Sequence, residues 1–205
     1  MFTGMQRAKR SWIYSGLALP KGVGLVRPAA AVLERRPAGS EAVLALRVAL
    51  IGDELAVGLQ TALRVLGEEA GAAIDSRARR GSTVAAWIEE GWLGDVLSGL
   101  PAWVVAAFTW GIVSTNRFAV PTGAMRVAQD TADRTGARII WVAPPAVLPD
   151  AVREVRENVI GARHGVLTSE GLDIQLGPDG TRPTVLGYAG WAGAVWRQLE
   201  SGARA

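Results

Sequence analysis

Three carboxylates and one guanidinium stand at two turn-like points of this sequence. Asp53 and Glu54 lie in Ile51-Gly52-Asp53-Glu54-Leu55, and Asp179 and Arg182 lie in Pro178-Asp179-Gly180-Thr181-Arg182-Pro183-Thr184. Carboxylates brought together could hold a hard metal ion or, as an acid and a base, cleave a glycosidic bond without serine or histidine. Arg182 beside them speaks against a metal, because a guanidinium competes for the same oxygens. Asp53, between an apolar run and a helical stretch, has the simpler reading of a helix N-cap. The chain has no cysteine, which excludes a disulfide scaffold, a thiol nucleophile, a cysteine zinc site and a cysteine-ligated iron–sulfur cluster. Its one histidine, His164, sits in Gly161-Ala162-Arg163-His164-Gly165 and reads as a packing or surface residue rather than a base. Ser82, Thr83, Ser114, Thr115 and Thr181 have nucleophilic hydroxyls, but with no base identifiable beside them they read as caps and turn residues. No metal and no cofactor is expected.

The elements that must position these residues follow from hydrophobic periodicity. From about residue 44 short apolar runs alternate with helix-period stretches, the pattern of β-α units around a parallel sheet. Leu44–Ile51 reads as a buried strand, followed by a helix over Val57–Ala70 with Leu59, Leu63 and Leu66 on one face. Ala72–Ser76 reads as a second strand, Thr83–Glu90 as a short helix, and Trp103–Gly111 as a central strand buried on both faces. A helix over Thr122–Arg134, a strand over Arg138–Ala143 and helices over Pro149–Val159 and Leu186–Glu200 complete the set. Tyr188, Trp191, Val195 and Leu199 mark the buried stripe of the last helix. The expected fold is a three-layer α/β domain over residues 44–205, flavodoxin-like, with a central parallel sheet in the order 2-1-3-4-5 and helices on both faces.

In such sheets ligands bind beyond the carboxyl ends of the strands. The loops there read Gly52-Asp53-Glu54-Leu55-Ala56-Val57-Gly58-Leu59, Arg80-Gly81-Ser82-Thr83, Val113-Ser114-Thr115-Asn116-Arg117, and Asp179 to Thr184 followed by Gly187-Tyr188. This ordered set resembles the SGNH (GDSL-type) hydrolase family over most of residues 44–200. The resemblance implies a serine esterase site: a Gly-Asp-Ser-Leu block after the first strand, a glycine after the second, an asparagine block after the third and an Asp-x-x-His block before the last helix. In the family the serine attacks an ester carbonyl, the histidine takes its proton and the aspartate orients the histidine. The seryl amide, the glycine amide and the asparagine side chain hold the oxyanion.

The resemblance also marks what is missing. Glu54 stands at the nucleophile position and Arg182 at the base position. A carboxylate cannot replace the seryl hydroxyl, and an arginine cannot act as a base near neutral pH. Gly81 and Asp179 match their blocks; Asn116 lacks the neighbouring glycine and aspartate of its block, and Thr109-Trp110-Gly111 is the alternative equivalent. The expectation is a degenerate site of Glu54, Gly81, Asn116, Asp179 and Arg182 without esterase chemistry. Opposite charges at the two lost positions predict a Glu54–Arg182 ion pair, with Asp179 as second acceptor.

Charge divides the chain. Residues 1–40 hold seven basic side chains and one acidic, a net of +6, so the remainder of a chain of net charge +3 carries −3. Residues 1–43, rich in glycine and proline, read as an extended basic arm whose Trp12, Ile13 and Tyr14 dock either on the body of this chain or on a partner, the expected partners being other proteins or copies of the same chain. The arm lacks a nucleic-acid reading motif or a dense basic run, so nucleic acid is not the expected partner. Arg77, Arg79 and Arg80 form a small basic cluster, read as solvated by default and otherwise as a phosphate or acidic-partner contact. Trp87 and Trp92 would favour glycan binding if exposed beside the cleft. No stretch reads as a membrane span or a signal peptide, so the protein is expected to be soluble and non-secreted. The leading expectation is a catalytically inactive structural module of an assembly such as a bacteriophage virion. The alternatives are a glycan-binding module using the degenerate cleft, and an esterase or glycosidase with a rearranged site.

Overall fold

The structure, a computed structural model, describes residues 46–109, 121–145, 164–178 and 182–203, together with positions 153, 155, 157 and 159. The arm, Asn116 and Asp179 lie outside the described residues.

Five strands form one parallel sheet: β1 (Arg47–Gly52), β2 (Ala73–Ser76), β3 (Trp103–Ala107), β4 (Arg138–Val142) and β5 (Gly165–Leu167). Their order is β2-β1-β3-β4-β5. The helices are α1 (Glu54–Glu69), α2 (Val84–Glu89), α3 (Trp92–Ser98), α4 (Thr122–Thr135) and α5 (Val185–Ala203).

The unbroken apolar runs of the three central strands have a direct structural cause. Alternate side chains of a strand point to opposite faces, and here both faces are covered. Ala49 and Ile51 of β1, Val104 and Ala106 of β3, and Ile139 and Trp141 of β4 belong to one core, with Trp87, Leu93, Leu97, Met125 and Ala128 from α2, α3 and α4. The interleaved Val48, Leu50, Val105, Ala107, Ile140 and Val142 belong to the other, with Leu55, Leu59, Leu63, Trp191, Val195 and Leu199 from α1 and α5. The expected stripes of α1 and α5 face this core, with Leu66 and Tyr188 only partly buried, and the three-layer parallel fold in the expected order is present.

Several boundaries differ from expectation. Helix α1 starts at Glu54 rather than Val57, because Asp53 caps it. Strand β3 ends at Ala107 rather than Gly111, because the amide of Thr109 is taken by the Asp53 carboxylate rather than by a neighbouring strand. Helix α3 and the three-residue β5 were not located by periodicity, both being too short to show one. Gly91, at φ +74°, separates α2 from α3. In the stretch expected as a helix over Pro149–Val159, Arg153, Val155 and Glu157 have helical backbone.

His164 precedes β5, and its side chain is buried at the end of the sheet opposite the candidate site. Its Nδ1 accepts from the amide of Ile139 at 3.0 Å, so Nε2 carries the proton that faces Asp133 Oδ2 at 3.1 Å. It ties β4 to the last turn of α4, the packing role expected of it.

Candidate functional site

The carboxyl ends of β1 and β3 meet at one backbone crossing. Gly52 pairs with Ala107 and has φ +142°; a Cβ there would overlap the Ala107 carbonyl oxygen, so only glycine fits. The Gly52 carbonyl, turned toward the β2–α2 loop, accepts from Arg79 N at 2.8 Å and from Ser82 Oγ at 3.2 Å. The first two loops are thus joined through the residue immediately before Asp53.

Asp53 is buried and fully used. Oδ1 accepts from Leu55 N at 2.9 Å and caps α1, while Oδ2 accepts from Thr109 N at 2.7 Å and Thr109 Oγ1 at 2.5 Å. The N-cap reading holds, and the same carboxylate also fixes the chain leaving β3. A buried carboxylate held by three donors fixes the loops around it. Sequence reasoning missed Thr109 as its partner. The contact spans 56 positions, and the only cue was that Thr109 follows the strand directly.

Glu54 is the first residue of α1 and is half-buried. Its Oε1 accepts from the backbone amide of Gly81 at 3.0 Å, with Gly81 at φ +71° in the β2–α2 loop. The expected Glu54–Arg182 ion pair is not formed: the glutamate is taken up by the amide, and Arg182 is exposed on the loop before α5. The structure thus brings together Asp53, Glu54, Gly81 and Thr109. An acidic side chain in the first turn of a helix also lies favourably in the helix dipole. Among the described residues no group of three His, Asp or Glu side chains could hold a metal ion.

The Ser82 and Thr83 hydroxyls are engaged in local hydrogen bonds, while Ser114, Thr115 and Thr181 lie outside the described residues. Thr83 Oγ1 caps α2 by accepting from Ala86 N at 3.1 Å. Ser82 Oγ, while donating to Gly52, accepts from the indole of Trp87 at 2.9 Å. Trp87 is buried and stands edge-on to Trp92 and Phe108, with ring centroids 5.8 and 6.5 Å away. Trp92 is half-buried under the guanidinium of Arg79, 4.0 Å from the ring centroid. These tryptophans are core and cover, not an exposed pair for stacking a sugar. Arg77 is bound to Asp75 through Nε at 2.9 Å; that hydrogen bond, then the Asp75 charge, raises its pKa above the usual arginine value.

Residues of the two end blocks also meet in packing. The ring of Tyr188 on α5 fills the space where a Cβ of Gly58 on α1 would stand, and it stacks on Trp191 at 6.4 Å. The glycine of Ala56-Val57-Gly58-Leu59 and the tyrosine of Gly187-Tyr188 are thereby explained by a close approach of α1 and α5.

No helix among the described residues is long and apolar enough to cross a membrane. No protein-family model matches the sequence, and no curated protein matches it. Solved structures do. The chain is similar to the psychrotrophic esterase EstA from Pseudoalteromonas sp., with TM-score 0.60 and 11% identity over 78% of this chain and 100% of that one. It is similar to a protein of the G-D-S-L family from Desulfitobacterium hafniense DCB-2, with TM-score 0.55 and 16% identity over 74% and 98% of the two chains. The catalytic domain of the peptidoglycan O-acetyltransferase OatA from Streptococcus pneumoniae matches with TM-score 0.54 and 20% identity over 78% and 96%. The parallel sheet in the order β2-β1-β3-β4-β5 and the likeness to these structures give the domain the SGNH (GDSL-type) hydrolase fold.

Proposed function

We propose that this domain has lost the ester hydrolysis of its fold relatives and serves as a rigid interaction module, anchored in a larger assembly by its basic residues 1–43. The observation that carries the reading is the Glu54–Gly81 bond. Acyl transfer on this fold needs a hydroxyl at position 54, a base at position 182 and free amides to receive the developing oxyanion. Here a carboxylate replaces the hydroxyl and its oxygen lies on the Gly81 amide. A negative charge at that point repels the carbonyl oxygen of an incoming ester and the oxyanion that would follow. Arginine at position 182 stays protonated and has no lone pair with which to take a proton.

The site's remaining features support a structural role. Asp53, Ser82 and Thr83 spend their polar atoms on joining β1, the β2–α2 loop, α2 and the end of β3. An intact-mass measurement after incubation with a fluorophosphonate tests the loss of the nucleophile: the protein is expected to stay unlabelled, and an adduct on any serine or threonine of the strand-end loops overturns the reading. Native mass spectrometry of the full chain against a chain lacking residues 1–43 tests the arm. Loss of the assembled species with a folded body is expected, and unchanged assembly refutes the anchoring role.

A further inference from the structure

We propose that the β2–α2 loop at Arg79 and Arg80 is a binding site for an oxyanion group, a carboxylate or a phosphate, on a ligand. The body of the chain outside the first 40 residues is net acidic, yet the residues just before Gly81 are basic. Both Arg79 and Arg80 are exposed, and neither has a carboxylate of the described residues within ion-pair distance. The nearby acids are otherwise engaged. Asp75 is paired with Arg77, while Glu54 and Asp53 bond to backbone amides and the Thr109 hydroxyl and to neither arginine. Asp95, one turn along α3 from Trp92, makes no ion pair with either arginine.

Arg79 is also held in place, which a merely solvated arginine is not. Its amide is fixed on Gly52 O at 2.8 Å and its guanidinium lies 4.0 Å from the centroid of Trp92. Trp92 is braced edge-on by Trp87, whose indole is fixed on Ser82 Oγ, which is in turn on Gly52 O. The chain of contacts closes on the same carbonyl that holds the Arg79 backbone. A guanidinium held over a ring keeps its own N–H edge free to form two parallel bonds to a carboxylate or phosphate, with less side-chain entropy left to lose on binding. The ligand site is independent of whether the neighbouring hydrolase site is inert.

The test uses the full-length protein at low ionic strength, where exposed charges are least screened. Inorganic phosphate and acetate are titrated in separate arms, and the Arg79 Nε–H and Trp92 indole N–H signals are followed by NMR. A saturable shift of both signals with at least one anion is expected, and the arm that produces it identifies the chemistry. Arg79→Gln is expected to weaken that binding by at least about tenfold, as for loss of a charge-assisted pair. Arg79→Lys, which keeps the charge and lacks the fork, should fall between Arg79→Gln and the wild type, and Arg197→Gln on the distant α5 surface should bind as the wild type does. Absence of a saturable shift with either anion overturns the proposal, as does a response in Arg79→Gln or Arg79→Lys equal to that of the wild type.

Discussion

The Oε1 oxygen of Glu54 lies 3.0 Å from the backbone nitrogen of Gly81, so the first residue of α1 is bonded across the end of the sheet to the loop after β2. On a catalytic SGNH fold the resemblance would place a nucleophile and an oxyanion donor at these two positions. Here they satisfy each other, and the bond becomes a tie between β1–α1 and β2–α2.

Because that bond is exposed, its contribution to stability is modest. Glu54→Ala is expected to lower the unfolding free energy by about 1 kcal/mol, combining a hydrogen bond to a charged group with a favourable first-turn charge. Urea denaturation checks it. A variant as stable as wild type would show the bond to be energetically empty.

Asp53 has the larger structural role. Asp53→Ala leaves the amides of Leu55 and Thr109 without their acceptor in a buried place and is expected to cost about 3 kcal/mol. Thr109→Val removes only the hydroxyl bond and is expected to cost about 1 kcal/mol, with a coupling to Asp53→Ala of similar size in a double-mutant cycle. Additive losses would mean that the two side chains do not act through each other.

The α1–α5 contact makes a steric prediction. Gly58→Ala drives a methyl group into the Tyr188 ring and is expected to cost about 1–3 kcal/mol as an overpacked interface. Tyr188→Ala in the same chain should recover part of the interaction energy. If Gly58→Ala alone leaves the thermal midpoint unchanged, the close approach is not a constraint on the sequence.

How far the sequence discloses this arrangement depends on the range of each cause. The layers of the fold are legible because the apolar runs of β1, β3 and β4 and the stripes of α1 and α5 are local patterns with one periodicity each. Strand β5 is three residues at the sheet edge, and α3 is a single short helix begun by Gly91; neither is long enough to show a period. Glu54 and Gly81 are each legible as positions of the strand-end blocks through the family resemblance. Their bond is not, because opposite charge at Arg182 is a more obvious partner in sequence than a neutral amide. The preference for Gly81 follows from geometry: the turn at Gly52 starts α1 immediately, and Glu54 meets the loop that the Gly52 carbonyl already holds. Thr109 was named only as an alternative start of the third block, and its attachment to Asp53 spans too many residues to be read from spacing.

Positions 54 and 182 also make a separable prediction. Glu54→Ser restores a hydroxyl and frees the Gly81 amide, yet it is expected to hydrolyse an aryl ester no faster than buffer, because Arg182 cannot accept the proton. Hydrolysis by this single variant would mean that another group supplies the base.

The most direct test of the proposed loss of ester hydrolysis is steady-state hydrolysis of a short-chain p-nitrophenyl ester by the full-length wild-type protein and by Glu54→Ala at equal concentration. Both are expected to match the buffer rate. A wild-type rate clearly above buffer that disappears in Glu54→Ala would contradict the account, because it would make the carboxylate on the Gly81 amide a working group rather than a replacement for one.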